Sequence, residues 1–298
     1  MKSNIIICFI LSTFCFGFTD TAGIETLPED ICLVAGDNAL TIARAGGRII
    51  SFTHNGKEIL TQKNEHENYG STLWTDPQSN WNWPPYEALD QLNYEGGMMG
   101  DSLCLTSRKD EKSGFQIKKI VKADSLCDCF HITYIIRNGS GESKSVGPWE
   151  VTRMPAKGIS FFMRGEAARL PESTLDGVIE KEGVVWFSLN DAPLKGGQKL
   201  FSTARGGWLA HIYQGLLFVK QFEDISPRQL APQQGEIEIY ANEDKAYIEL
   251  ENHGIYRLLQ PGESLHYSVT WHLLKLPDDV RAETGNSRLI EMVQKTIL

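Results

Sequence analysis

The sequence predicts an all-β chain in which many short antiparallel strands build one large sandwich or barrel, closed by a short C-terminal helix. Three observations carry this reading. Apolar and polar residues alternate in run after run from residue 38 to residue 276, most runs end at Gly, Asn, Asp or Pro, and helical spacing appears only in the final segment. A length of 298 residues, 41% hydrophobic and 22% charged, is enough for a well-buried core and argues against disorder.

The first 22 residues read as a secretory signal. Lys2 precedes an apolar run from Ile5 to Phe18, followed by small and polar residues that offer cleavage after Gly17 or Ala22. The run is short for a spanning helix and has no basic stop-transfer cluster behind it, so no membrane insertion is expected after cleavage. Phe14 before Cys15 is too bulky for a lipid-anchoring signal. The expectation is therefore an exported protein with one domain over residues 23–298, since no linker, repeat or low-complexity stretch divides the remainder.

The first elements after the leader form a meander. "NALTIARAGGRIISFTHNGKEILT" holds three short runs separated by a Gly-Gly break and an Asn-Gly turn, the strongest short hairpin signal. Further strands are predicted at "SLCLTSR", "GFQIKKIVKAD", "DCFHITYIIRN", "SKSVGPWEVTRM", "GISFFMRG", "GVVWFSLN", "GWLAHIYQGLLFVKQFED", "GEIEIYAN", "KAYIELENHG", "IYRLLQPG" and "SLHYSVTWHLLKL". The tail "NSRLIEMVQKTIL" places Leu289, Met292, Val293 and Ile297 on one helical face behind an Asn/Ser cap.

Charge and cysteines exclude several functions. The formal net charge is -9 and no basic cluster is visible, which argues against nucleic acid as a partner. Cys32, Cys104, Cys127 and Cys129 remain after cleavage. Cys104 is expected to pair with Cys127 or Cys129 if their strands are neighbours, whereas Cys127 and Cys129, two apart on a strand, are poorly placed to bond each other. "CDC" has no second Cys or His pair at zinc spacing, so no metal site is expected. No Ser-His-Asp order, HExxH helix, phosphate-cradling loop or EF-hand loop appears.

The order of the motifs carries a resemblance. "AGGRIISFTHNGKEIL" resembles the opening hairpin of galactose mutarotase-like proteins, the region from "GDSLCLTSR" to "RNGSGES" is similar to their middle section, and "AYIELENHGIYRLLQPGESLHYSVTWHLLKL" is similar to their closing strands. The resemblance spans roughly residues 30 to 276. It implies a β-supersandwich with an open sugar-binding cleft and, in aldose 1-epimerase members, a Glu base for the anomeric hydroxyl and a His acid for the ring oxygen, with no cofactor.

Carried onto this chain, the resemblance makes Glu249 the candidate base. Glu251 is the alternative, because Tyr247, Glu249 and Glu251 share one strand face. The acid is missing. Where the family carries its His, this sequence reads "GPWEVTRM", and where a second His would fall it reads "LNYEGGMMG". Glu150 is then a candidate acid in a carboxylate pair with Glu249, and Trp149 and Arg153 are candidate binding residues, the guanidinium suited to a uronate carboxylate or a sugar oxygen. Lys220, in an apolar strand, is a further candidate for the cleft beside Glu249. The bland reading of each is a solvated or edge side chain.

The stretch "STLWTDPQSNWNWPPYEALD" is read as an irregular loop at the cleft mouth. Trp74, Trp81 and Trp83 are placed to stack on sugar C–H faces, and Gln78, Asn80 and Asn82 to bond hydroxyls. The competing reading is a satellite core that pins the loop. The expected partner is a mono- or oligosaccharide. The expected activity is interconversion of sugar anomers with Glu249 as base, against two rivals: a non-catalytic carbohydrate-binding protein, and a polysaccharide lyase or hydrolase using paired carboxylates.

Overall fold

The computed structural model describes residues 28–189 and 194–298. The predicted leader, its cleavage points and Cys15 lie outside the described residues. Of the sandwich and barrel that alternation allows, the chain forms the sandwich: two antiparallel sheets stack face to face. The first sheet runs, in spatial order, through Asp30–Ala35, Asn38–Ala43, Ile49–His54, Ser71–Asp76, Lys144–Pro155, Tyr247–His253, Ile237–Ala241 and Gln198–Ser202, with Lys57–Glu58 and Arg257–Leu259 paired at its flanks. The second runs through Val178–Lys181, Val184–Phe187, Ile159–Met163, Trp208–Tyr213, Leu216–Phe222, Ser264–Lys275, Cys129–Asn138, Phe115–Asp124, Ser102–Thr106 and Glu95–Met99.

Local chemistry explains the edges of these elements. Asn55 and Gly56 both take positive φ (48° and 75°), the geometry of a tight hairpin turn, and join Ile49–His54 to Lys57–Glu58. The predicted terminal helix is Ser287–Ile297. Asn286 caps it by accepting from the Arg288 backbone N–H at 3.1 Å, and Leu289 and Val293 are buried on its inner face. Among the described residues, no helix is long and apolar enough to cross a membrane.

Between the sheets lies one continuous apolar core. Phe52 from the first sheet meets Phe130, Phe218 and Trp271 of the second at ring distances of 5.7, 5.7 and 5.6 Å. Ionisable groups also enter this layer. Glu150 and Lys220, both fully buried, pair at 2.8 Å across the sheets, and Tyr134 donates its hydroxyl to Glu150 at 2.6 Å. Lys119 donates to the carbonyls of Gly46 and Gly47 at 2.9 and 3.0 Å, pinning the first meander to the second sheet.

Two expectations are corrected here. Cys127 and Cys129 do bond each other, with Cα atoms 5.2 Å apart. The reason is that Cys127 is not on the strand. It sits in the turn before it, where Asp128 takes a positive φ of 51° and swings Cys127 back over Cys129. Cys104 faces Ile120 and Gly97 across its two neighbouring strands, so neither cysteine is opposite it. The tryptophan-rich stretch is also less irregular than expected. Ser71–Asp76 is a fully buried central strand, and a 3-10 turn at Gln78–Asn80 and a short helix at Glu87–Asp90 follow it.

Candidate functional site

In a two-sheet sandwich the outer face of a sheet is normally wet, so a buried outer face needs an explanation. Lys144–Pro155 is buried on both faces from Val146 to Met154, and Tyr247–His253 is buried at every position. Ile248 and Leu250 fill the inter-sheet core, while Tyr247, Glu249, Glu251 and His253 project outward by alternation. Glu249, Glu251 and His253 among these outward groups are of types rarely buried without partners.

Their partners come from four neighbouring strands. Antiparallel register sets Arg153 against Glu249, Val151 against Glu251 and Trp149 against His253, and on the other side Trp74 against Trp149. Glu238 lies opposite Glu251, and Lys199 lies one strand further out, opposite Tyr240. Directly opposed residues share a face, so this register alone gathers the cluster.

Two linked groups result. In the first, Arg153 Nε lies 3.0 Å from Glu249 Oε1, with the guanidinium 5.1 Å from the Trp74 ring centre. Arg153 Nη1 is buried and has no hydrogen-bond partner among the described residues. In the second, Lys199 Nζ sits between Glu238 at 2.6 Å and Glu251 at 2.8 Å, and Trp149 donates its indole N–H to Glu251 Oε2 at 2.5 Å. His253 stacks on Trp149 and reaches Asp76 through Nδ1 at 2.6 Å and Glu238 through Nε2 at 3.4 Å. The second group thus holds three carboxylates against one lysine and one imidazole.

That imbalance sets the protonation of the cluster. Burial acts to depress His253, but the charges of Asp76 and Glu238 outweigh it and hold the imidazole up at about 10, so it stays protonated. Burial pushes Glu251 up against the opposing pull of Lys199, with Glu238 and Glu249 adding to the rise. Burial likewise raises Asp76. Burial would raise Glu238 too, but Lys199 and His253 win and draw it down. Glu238, Glu251 and His253 bring ligand atoms within 4.8 Å of one another, close enough for a metal ion. The Lys199 ammonium stands between the two carboxylates and supplies the positive charge there.

Five of the residues singled out from sequence meet on this face: Trp74, Trp149, Arg153, Glu249 and Glu251. Trp81 packs against Trp74 and Trp149 at ring distances of 5.7 and 6.3 Å, and Trp74, Trp149 and Val151 form a small apolar cluster of their own. For these rings the satellite-core reading is the better one. Trp83 differs, since it touches Trp74 edge-on yet is 59% exposed. It lines a cleft of about 930 Å³ together with Trp81, Tyr86, Gln91, Arg108 and Lys112. Asn80 lies at the edge, where it accepts from the Tyr86 hydroxyl through its backbone and lines a neighbouring cavity of about 380 Å³.

Glu150 and Lys220 do not join them. Glu150 opposes Asn252 and lies three residues, an odd number, from Arg153, so it points through the sheet to the core and cannot pair with Glu249. Lys220 reaches Glu150, Thr152 Oγ1 at 2.9 Å and the Leu250 carbonyl at 3.1 Å from the opposite sheet. Sequence reasoning missed Asp76, Lys199, Glu238 and His253. For His253 the signal was present, because "YIELENH" continues the outward alternation to its last residue. "EIEIY" gave Glu238 in the same way, whereas Asp76 and Lys199 depend on strand order alone.

The profile of a domain of unknown function, DUF4380, matches residues 31–274. No curated protein matches the sequence. Among solved structures, a galactose mutarotase related enzyme from Lactobacillus acidophilus is 12% identical, with a TM-score of 0.59 over 85% of this chain and 99% of that one. A galactose mutarotase-like protein from Lactobacillus casei is 11% identical, with a TM-score of 0.58 over 82% and 100%. A third, from Clostridium acetobutylicum, is 12% identical at 0.53 over 83% and 95%. At these identities the likeness establishes the fold alone, the one that these galactose mutarotase-like structures share.

Proposed function

The chain belongs to the DUF4380 family, a domain of unknown function on a galactose mutarotase-like fold, and from that premise we propose that it binds a mono- or oligosaccharide. One observation carries the reading: Arg153 and Glu249 pair on an outward sheet face, and the Trp74 ring beside the guanidinium also meets, edge-on, the exposed Trp83 ring, which lines a neighbouring cleft. Sugars offer apolar C–H faces to rings and hydroxyls to paired charges; Trp83 supplies the accessible ring, and Arg153 with Glu249 the paired charge. Glu249 is the outermost of its carboxylates and, with Arg153, is the pair that a hydroxyl would meet first.

A second reading, interconversion of anomers, draws support from Glu251. Opening a sugar ring needs a base at the anomeric hydroxyl and an acid at the ring oxygen. Glu249 serves as base, and Glu251, two residues along the same face and raised by burial, serves as the group that retains a proton. His253 is too basic for that task and is clamped between two carboxylates. It does not replace the histidine of the epimerases.

The test is proton NMR of freshly dissolved single anomers of galactose, glucose, rhamnose, fucose and glucuronate, with and without the protein. Selective line broadening that is lost in Glu249→Gln supports binding, and faster equilibration lost in the same variant supports turnover. Neither effect with any sugar overturns the proposal.

A further inference from the structure

We propose that the turn leading into Cys129 is a reduction-gated site for a soft divalent cation such as Zn2+, held by Cys127, Cys129, His131 and Asp124. Sequence spacing left "CDC" without further ligands. The fold supplies two. One ligand atom each from Cys127, Cys129 and His131 lies within 4.8 Å of the others, compatible with a shared ion at bond lengths of about 2.0–2.3 Å. His131 Nε2 is 3.9 Å from Cys129 Sγ and 3.3 Å from Asp124 Oδ2, so a single ring nitrogen faces sulfur and carboxylate together.

The surroundings are those of a prepared site. His131 Nδ1 is 3.1 Å from Thr270 Oγ1, an outer partner that fixes the ring as such partners do for metal-bound imidazoles. Asn38 donates to the Asp128 carbonyl at 2.7 Å, and Asp124 Oδ1 accepts from the Leu126 N–H at 2.8 Å, so both ends of the turn are tied down. Two sulfurs, one nitrogen and one oxygen form a donor set suited to tetrahedral zinc. None of these residues belongs to the face proposed to bind sugar.

Oxidation state is the gate. With Cys127 and Cys129 bonded to each other, neither offers a thiolate. Cys127 is exposed and open to attack. A dithiol reductant forms a mixed disulfide with one cysteine sulfur and releases the other, then closes its own disulfide and releases the first, giving up two electrons in all. Two protons complete the two thiols. The cation binds the two thiolates and releases those protons.

The experiment titrates Co2+ into the full chain, oxidised or reduced with dithiothreitol and then freed of it without air, and follows thiolate-to-cobalt absorption. One Co2+ per reduced chain, displaced by Zn2+ and absent from the oxidised chain, is the expected result. Cys127→Ser removes the band, the double variant Cys32→Ser/Cys104→Ser keeps it, and Thr270→Ala weakens binding about 10-fold or more. Alkylation of Cys127 in the reduced natural chain gives the same loss if the serine variant does not fold. Equal binding by both redox states, or a band that survives the loss of Cys127, overturns the proposal.

Discussion

Arg153 and Glu249 face each other across adjacent strands with Nε and Oε1 3.0 Å apart, and the guanidinium is buried against the Trp74 ring. A charge held this way depends on its partner, and the pair's worth lies in what each leaves behind when the other is removed.

Glu249→Gln keeps the shape and an acceptor oxygen but removes the countercharge. Unfolding in urea is expected to show a loss of about 2 kcal/mol, and the sugar affinity found by NMR titration to fall about 10-fold or more. Unchanged affinity would remove Glu249 from the proposed site.

Lys220→Met strands the Glu150 carboxylate in the inter-sheet core. The expected loss is about 3–5 kcal/mol. The double variant Lys220→Met/Glu150→Leu should recover most of it, because no charge is then left unpaired. A double variant as unstable as the single one would show that the packing of Lys220, not its charge, matters.

Trp83 and Trp149 should separate binding from stability. Trp149 is buried among Trp74, Trp81 and His253, and Trp149→Ala is expected to cost about 3–5 kcal/mol. Trp83→Ala removes a largely exposed ring and should shift stability by no more than about 0.5 kcal/mol, while weakening sugar binding. Thermal melts and NMR titration of the two variants, run side by side, make the comparison.

The pH dependence follows from His253. Its pKa is about 10 when folded, against about 6.5 for an unperturbed imidazole. Between these values the native state holds a proton that the unfolded chain does not, so this contribution is full below about pH 6.5 and is lost as pH rises towards 10. Lys119, drawn down to about 7 by burial, acts in the opposite sense above that pH. The test is therefore the difference in urea midpoint between the natural protein and His253→Gln. It should shrink as pH rises from about 6.5 to about 10, and a difference independent of pH would contradict the assignment.

By itself the sequence determined the class of fold, an all-β chain with a capped C-terminal helix, because strand periodicity, an Asn-Gly turn and an Asn cap are local properties that no distant contact has to supply. The order of its motifs carried the resemblance to the mutarotase-like proteins, and alternation within "YIELENH" put Glu249 and Glu251 on one face. Tertiary structure decided which face was buried and what met it there. Glu150 and Arg153 lie three residues apart on one strand, yet register with Tyr247–His253 sends Arg153 to Glu249 and Glu150 to the core. Lys199 and Asp76 reached the cluster only because their strands lie in the same sheet. The Cys127–Cys129 bond turned on one backbone angle at Asp128. Periodicity is written along the chain, but register, strand order and a single left-handed residue are settled between segments, where the balance of burial and charge is struck.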